Sequence, residues 1–388
     1  MSHLPDSPIP HPLPDELVFP VQWYAVAWST ELKKKPVKKR VAGKDLVLFR
    51  GEDGSAHAIY AYCPHRGADL SLGYCADGGI RCAFHGWLFQ GDGRCTEIPS
   101  QPKAKIPEFA HDTAYPVQEK AGLIWVYPAD EPHDELTLFP ELKDPDFRLV
   151  PFQSTWKAHF TRVVESVLDV AHVPIVHHQT IGRKSSAEVQ IQFQADGDLI
   201  YIQNKKSEME YRFPQQWILR PRYNGKSRLI NFVTFTLIDF NYTDIRGYIG
   251  RNFAKTFLVD KILSKFSLKV LKEDQEIVES QHPRPIPESL RMEAHVPADG
   301  PQVRFRNRWY SFLTGANQSF ILLQMRRNIP ISIYKERIYE NQCLLFYEKT
   351  NIYSRHRLVL NIKRFSAFFS PLRHIGRECK KRGLTKEI

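Results

Sequence analysis

The chain has 388 residues, of which 42% are hydrophobic, and it carries a formal net charge of +11. This length can bury a large core and is enough for two domains. No apolar run reaches the roughly 18 residues that a transmembrane helix needs, so the sequence predicts no spanning segment. The six cysteines are scattered along the chain, which is typical of a reducing compartment, and we expect a cytoplasmic protein.

The positive charge is concentrated in two places. One is a run of lysines and an arginine within residues 33–40, and the other is the tail that starts at Arg355, with ten Lys/Arg and two acids. Such runs form a solvated surface or attract an acidic protein partner. No nucleic-acid motif accompanies the charge. Contact of the tail with a membrane surface is a competing interpretation that we do not favour.

The first part of the chain is predicted to be a β-domain behind a flexible start. Residues 1–19 are Pro-rich and lack the apolar core of a signal peptide, so we expect a flexible lead-in. Residues 20–128 contain short segments rich in β-branched and aromatic residues, separated by Gly, Asp and Lys turns, which predicts a small sandwich. The Pro- and acid-rich segment 129–149 is interpreted as a linker.

The second domain is predicted to cover residues 150–388, including the basic tail. Helical spacing of apolar residues predicts helices near 160–172 and 253–281. The expected fold class is α+β, a β-sandwich followed by a broad antiparallel sheet with helices. Segments of this domain with strand-like composition are 187–193, 199–205, 228–238, 319–325 and 343–349.

Two cysteine–histidine pairs stand out in the first domain. Cys63 and His65 are separated by one residue, Cys82 and His85 by two, and sixteen residues lie between the pairs. A Rieske [2Fe–2S] cluster needs this set of ligands, with cysteines on one iron and histidines on the other. Nearby glycines would let the backbone approach the sulfurs closely. The alternative is a structural Cys₂His₂ zinc site, which usually has wider Cys–Cys and His–His spacing.

A second group of ligand residues lies in the second domain. Asp169 and His172 are three residues apart, and we expect them to share one helix face. Pro174 predicts that the helix ends just before it, so that the chain can turn and bring His177 beside His172. Two imidazoles and one carboxylate form the facial triad that holds non-heme Fe(II) and leaves positions open for O₂. His178 is the alternative to His177.

The pattern Cys-x-His-x₁₆-Cys-x₂-His, followed by Asp-x₂-His-x₄-His, resembles the Rieske non-heme iron aromatic-ring-hydroxylating oxygenase family. It is most similar to members such as vanillate O-demethylase, dicamba monooxygenase and pheophorbide a oxygenase, over about residues 20–285. The resemblance implies a Rieske sandwich, a helix-grip catalytic domain and a head-to-tail homotrimer. It also implies that electrons come from a ferredoxin and/or a flavin reductase, and cross from one subunit's cluster to the next subunit's iron.

The resemblance also assigns roles to residues. Asp169 matches the family's bridging carboxylate, an electron relay between the cluster ligand His85 and the iron ligand His172. Ser166 stands where the family often has Asn. Asp274 lies in a segment similar to the helix that supplies the third iron ligand, although a solvated acidic helix face is an alternative interpretation. Other candidates for this ligand are Asp196, Asp198, Asp239, Asp244, Asp260 and Asp299.

The function expected from these features is oxygenation. The [2Fe–2S] cluster would pass electrons to Fe(II), which activates O₂ for hydroxylation or oxidative demethylation of a small, hydrophobic or aromatic organic substrate. One alternative is a Rieske electron-transfer protein without its own oxygenase chemistry, which needs only the first domain. Another is a zinc-binding interaction module. The substrate itself is not identified by the sequence.

Overall fold

The computed structural model describes residues 19–188, 191–223, 225–287 and 289–326, with side chains up to Leu313. The chain divides into two units, Met1–Ala316 and Asn317–Ile388. All the features analysed below belong to the first unit. Of the second unit, only the backbone at the end of one helix is described.

Several sequence predictions lie outside the described residues. They concern the flexible lead-in up to residue 18, the strand expected at 343–349 and the basic tail from Arg355. Within the described part of the chain, no helix is both long and apolar enough to cross a membrane.

The N-terminal region consists of short antiparallel strands, as the sequence predicts. They pair in the orders β1–β11–β10, β2–β3–β4–β9 and β5–β6–β7–β8. Strands with continuous apolar runs are buried on both faces. The strands are β1 Tyr24–Trp28, β2 Val37–Val41, β3 Lys44–Arg50, β4 Ala56–Tyr60, β5 Tyr74–Ala76, β6 Gly79–Arg81, β7 Leu88–Phe89, β8 Cys95–Glu97, β9 Ala114–Tyr115, β10 Val117–Lys120 and β11 Leu123–Val126.

The following region forms a large antiparallel sheet with the order β12–β18–β17–β16–β15–β14–β13. Side chains alternate between its faces because the period of a strand is two. Ile218, Phe232 and Tyr248 pack against the N-terminal region, whereas Trp217 and Val233 belong to the core on the helix side. Its strands are β12 Arg148–Trp156, β13 Gln192–Asp196, β14 Leu199–Gln203, β15 Ser207–Arg212, β16 Gln216–Pro221, β17 Leu229–Leu237 and β18 Thr243–Arg251.

The segment 129–149, for which the sequence predicts a linker, is packed against this structure. Its apolar side chains Leu138, Phe139 and Phe147 are buried in one core with Trp125 of β11 and Phe232 of β17. The last residues of the segment already belong to β12. The Pro and acidic residues of the segment mainly occupy exposed positions, and the buried apolar side chains attach the segment to the rest of the protein.

The helices described are α1 Phe160–Leu168, α2 Val173–Val176, α3 Phe257–Val278 and α4 Gly300–Arg326. The prediction that the first helix runs to just before Pro174 is wrong. The helix ends at Leu168, Asp169 has extended backbone (φ −84°, ψ 122°), and the separate turn α2 begins at Val173. Proline fits the first turn of a helix because no intrahelical partner exists there for its missing N–H. Asp169 and His172 therefore do not share a helix face.

A second correction concerns residues 319–325, which are helical and not extended, since α4 continues to Arg326. A short apolar run suits a buried helix as well as a strand, and its composition alone does not distinguish the two. The helix predicted at 253–281 is confirmed as α3, and the strands predicted at 199–205 and 228–238 are confirmed as β14 and β17.

Candidate metal centres

The two Cys–His loops of the N-terminal region fold alike. In each loop the cysteine N–H donates to the carbonyl oxygen of the residue five positions later. The N···O distance is 2.9 Å in both the Cys63 loop and the Cys82 loop. The N–H of a glycine four residues after each cysteine donates back to the cysteine carbonyl oxygen. The N···O distance is 2.8 Å for Gly67 and 3.0 Å for Gly86. These glycines have φ of +67° and +74°, a conformation that side-chain-bearing residues adopt rarely. The repeated fold brings two equivalent ligand corners together.

The donor side chains of these loops meet in pairs, the Cys63 thiol with the Cys82 thiol and the His65 ring with the His85 ring. The Cys63 and Cys82 thiols are buried and free, and the His65 and His85 rings lie 4.5 Å apart between centroids. Among the described residues, nothing hydrogen-bonds the buried Nδ1 of His65. Burial, with a further contribution from Cys82, raises the pKa of Cys63 to about 12, so this thiol ionises only beside a cation. Two buried thiols and an unpartnered imidazole nitrogen fit a Rieske cluster.

The second group of ligand residues converges in the C-terminal region. The Nε2 atoms of His172 and His177 are 3.3 Å apart, and Oδ1 of Asp274 lies 3.3 Å from the first and 3.0 Å from the second. Ligand atoms that bind one ion at about 2.1 Å and at right angles lie about 3 Å from each other. The three residues therefore fit one face of an octahedral metal site, as in the two-histidine, one-carboxylate triad.

The single helical turn α2 positions the two histidines. His172 precedes the single turn α2 and His177 follows it, with the His177 N–H donating to the Val173 carbonyl at 3.1 Å. The next turn closes when Gly182 N–H donates to the His177 carbonyl at 2.9 Å. A Cβ at Gly182 would lie 2.0 Å from the Val173 carbonyl oxygen, so this turn requires glycine. Asp274 reaches the histidines from α3, about a hundred residues later.

The electrostatics of the triad favour a cation. Burial alone would raise the pKa of Asp274, but hydrogen bonds with His172 and His177 hold it below its ordinary value. Burial alone would lower the pKa of His172, but hydrogen bonds with Asp169 and Asp274 raise it to about 9. Without metal, the negative charge of Asp169 and Asp274 thus favours a proton on His172. The same negative charge would stabilise a divalent cation bound between the ligand atoms.

The structure separates the triad from the alternative ligands. His178 is exposed, and its Nδ1 lies 2.9 Å from the Ile175 carbonyl oxygen, away from the cluster of ligand atoms. Several of the other candidate aspartates are engaged elsewhere, for example Asp260 with Arg148 and Arg251, and Asp244 with Arg246. Asp169 lies beside the triad, with Oδ2 3.6 Å from Nδ1 of His172. Its Oδ1 accepts the Ala171 N–H at 2.7 Å.

Two features near the triad were not predicted from the sequence. Glu273 lies 2.8 Å from Nδ1 of His177, although no pattern in the sequence distinguishes it from the exposed acids of α3. The second is a buried charge network in which Glu165 of α1 and Glu293 bind Arg162 and Arg306. The paired Glu-Asp at 273–274 was the available signal for the first. In the network, only Arg162 and Glu165 lie close in the sequence on α1, and Glu293 and Arg306 join them from a distant segment.

The triad forms part of the wall between two cavities. The larger, about 1080 Å³, is lined mainly by apolar side chains of the sheet and of α3, such as Trp217, Val233 and Leu263. The smaller, about 520 Å³, is lined by polar residues of the charge network and by Asp299 and Gln302. Asp169, His172 and Asp274 line both cavities. A metal at the triad would thus face an apolar chamber on one side and a polar one on the other.

Comparison with known proteins agrees with this arrangement. Residues 22–110 match the Rieske [2Fe-2S] domain, and residues 201–313 match the vanillate O-demethylase oxygenase C-terminal domain. The chain thus carries the two domains of a Rieske non-heme iron oxygenase. This pair of domains implies a Rieske cluster, a mononuclear iron and O₂, and the two ligand sets described above fit both metal groups.

Individual relatives match this chain over part of their length. The 4beta-methylsterol monooxygenase of Methylococcus capsulatus is 37% identical over 165 residues, which are 40% of this chain and 44% of the relative. The vanillate O-demethylase oxygenase subunit of a Pseudomonas species is 28% identical over 210 residues, 52% of this chain and 57% of the relative. The chain thus spans about half the length of the curated relatives it matches.

Solved structures cover more of the chain. The NdmA QL mutant of Pseudomonas putida CBB5, solved with theobromine, has a TM-score of 0.69 and 25% identity, and the match covers 76% of this chain and 91% of that one. Dicamba monooxygenase bound to dicamba has a TM-score of 0.67 and 20% identity, with coverage of 77% and 98%, which shows the shared fold. These matches confirm the predicted α+β architecture of a Rieske domain followed by a sheet-and-helix catalytic domain.

Proposed function

We propose that this chain is the oxygenase component of a Rieske-type system that hydroxylates or oxidatively demethylates an apolar organic substrate. The observation that carries the proposal is the position of the His172, His177 and Asp274 triad in the wall of the apolar cavity of about 1080 Å³. A site of this kind can hold iron and a substrate side by side. An electron-transfer protein without its own chemistry would need neither the triad nor the cavity.

The metal groups are assigned to the residues that fit them. Cys63, His65, Cys82 and His85 would hold the [2Fe–2S] cluster, and the triad would hold Fe(II). When bound, these groups supply single electrons and the activation of O₂. The protein's part is to orient the ligands, to hold the substrate against the apolar lining and to keep water away from the reacting atoms.

We further propose a homotrimer in which the cluster of one subunit reduces the iron of the next. Two features of the chain support this: His85 and its neighbour Phe84 are exposed, and Asp169 faces the polar cavity beside His172. Asp169 would then act as the electron relay between the partner subunit's His85 and His172. Docking of the exposed loop into the polar cavity would bring the two metal groups together.

The external electron donor is proposed to be a ferredoxin and/or a flavin reductase, because the family works with electron-transfer partners. Positive charge on the oxygenase would speed the approach of an acidic donor, an effect that salt screens. A cytoplasmic location is proposed from the four described cysteines, which are all free. The basic tail from Arg355, which we expect to attract the donor, lies outside the described residues.

The size of the apolar cavity bears on the substrate. Pockets for small ligands typically measure about 300–1,000 Å³, so a cavity of about 1080 Å³ can accept a molecule larger than one aromatic ring. Two relatives have names that refer to polycyclic substrates, a 4beta-methylsterol monooxygenase and a cholesterol 7-desaturase. We therefore propose that the substrates include apolar multi-ring compounds as well as methylated aromatics.

The proposal is tested by O₂ consumption with reconstituted protein. The iron-loaded chain, a ferredoxin and its reductase would be given a panel of aromatic acids, methyl ethers, terpenoids and sterols, and ¹⁸O incorporation would be measured by mass spectrometry. We expect at least one compound to stimulate O₂ uptake and to gain labelled oxygen, or to release formaldehyde. His177→Ala and Cys63→Ser should each abolish this reaction. The electron-transfer function would be supported instead if the donor reduced the cluster repeatedly while the protein bound no iron at the triad.

A further inference from the structure

Glu273 is bound to the back of an iron-ligand ring. Its Oε2 lies 2.8 Å from Nδ1 of His177, while Nε2 of the same ring lies 3.0 Å from Asp274. The two adjacent carboxylates of α3 thus contact opposite nitrogens of one imidazole. His177 is almost fully buried, so that the ring has little room to turn.

A third residue fixes Glu273 in this place. The hydroxyl of Thr180 donates to the same Oε2 at 2.6 Å. Thr180 belongs to the turn that follows His177, and its N–H donates to the His177 carbonyl at 2.9 Å. The carboxylate therefore joins α3 to the turn through both residues. No such contact is made among the described residues by Glu276, which lies one turn further along α3 and is exposed.

From this geometry we infer that Glu273 is a positioning residue that sets the tautomer and orientation of His177 for iron. An ionised carboxylate can only accept hydrogen bonds, and a neutral imidazole carries one N–H. The proton therefore resides on Nδ1, facing Glu273, and the lone pair of Nε2 is directed at the metal position. A carboxylate behind a ligand histidine also increases the basicity of the ring and strengthens its bond to the metal.

The inference rests on the iron site proposed above and extends it to a residue that does not touch the metal. Losing such a partner typically lowers metal affinity about 10- to 100-fold. We expect about a 10-fold loss for Glu273→Gln, which keeps the shape and removes the charge, and a loss approaching 100-fold for Glu273→Ala. Thr180→Val should give a smaller loss, because the carboxylate remains while one of its anchors is removed.

The experiment measures Fe(II) affinity by competition with a chelator, and the ferrous–nitrosyl EPR spectrum, in the full-length protein with its cluster intact. Glu276→Gln is the matched control and should leave both unchanged. A changed rhombicity of the nitrosyl signal in Glu273→Gln, with an unchanged melting temperature of the iron-free protein, would separate ligand positioning from general loss of structure. Iron affinity within twofold of the parent in both Glu273→Gln and Thr180→Val would overturn the inference.

His177→Ala distinguishes the failure of this inference from that of the proposed site. If His177→Ala loses iron while Glu273→Gln and Thr180→Val keep it, the triad stands and the positioning role of Glu273 is wrong. If His177→Ala retains iron, the assignment of the triad itself is wrong, and the inference about Glu273 fails with it.

Discussion

Asp274 places one carboxylate oxygen within 3.3 Å of His172 Nε2 and 3.0 Å of His177 Nε2, although about a hundred residues separate it from both. This relationship joins the loop after α1 to the last turns of α3. Three ligand atoms spaced in this way enclose one ion and leave the opposite side free for O₂ and substrate.

Replacement of Asp274 by Asn should remove the mononuclear iron and leave the cluster intact. The side chain keeps its size, but the amide loses the charge that attracts the metal. We expect iron analysis of dialysed protein to show loss of the mononuclear iron, and the Rieske EPR signal to persist because its ligands lie in the N-terminal loops. Asp299→Asn, in the wall of the same polar cavity, is the matched control. Loss of iron from the control alone would move the ligand role to Asp299.

Asp169→Asn should separate iron binding from turnover. Asp169 contacts His172 from outside the triad, at 3.6 Å, and does not belong to the converging ligand atoms. We expect iron to be retained, the cluster to remain reducible by dithionite, and substrate oxidation in a single turnover to fall at least tenfold. A single-turnover rate equal to that of the parent protein would contradict the relay role.

Stability should fall on acidification because of His159. This buried residue caps α1 by accepting the Thr161 N–H at Nδ1, and burial, with Arg162 nearby, lowers its pKa from 6.5 to about 4. Between these values the unfolded chain binds a proton that the folded chain excludes, so the stabilising effect is complete above pH 6.5 and is lost towards pH 4. The loss between pH 7 and pH 5 should be about 2 kcal/mol.

His159→Asn provides the test of that prediction. Asparagine is also a good N-cap, so the helix start is preserved while the titrating group is removed. The free energy of unfolding, measured with urea at pH 7 and pH 5, should differ less between the two pH values in the variant than in the parent protein. An unchanged pH dependence would assign the acid sensitivity to other groups.

Arg306→Met should destabilise the protein strongly. Arg306 is buried and binds both Glu165 and Glu293, so its removal leaves Glu165 short of a partner in a buried position. Loss of one member of a buried ion pair typically costs about 3–5 kcal/mol. Arg308 lies on the same helix as Arg306 and forms a partly exposed pair with Asp198, so Arg308→Met should cost less than about 1 kcal/mol. Equal effects in urea unfolding would show that Arg162 compensates for Arg306.

Much of this architecture was accessible from the sequence because its signals are local. The paired Cys–His spacing, the strand-like composition of β17 and the apolar period of α3 each depend on residues close together in the chain. The break between Leu168 and Val173 was missed because the same proline that ends one helix also suits the start of another.

The support around the triad could not be predicted, because it depends on contacts between distant segments. Glu273 and Glu276 look alike in the sequence, and only the docking of α3 against the turn after α2 places the first at His177. The pairing of Glu165 with Arg306 spans 141 residues in the same way. Residue type restricts the candidates at such positions, and the tertiary fold selects among them.

Helix α3 is held to the protein by few buried side chains. Of its 22 residues, all described, only Ser267 and Val278 are buried, and the apolar Leu258 and Ile262 are exposed. An iron shared by Asp274 and the two histidines would act as a clamp between α3 and the rest of the fold. Ligand binding to the folded form stabilises it by about 2.7 kcal/mol at a hundredfold excess over the dissociation constant. Iron-free copies would therefore expose α3 to proteases, and cells short of iron would degrade them first.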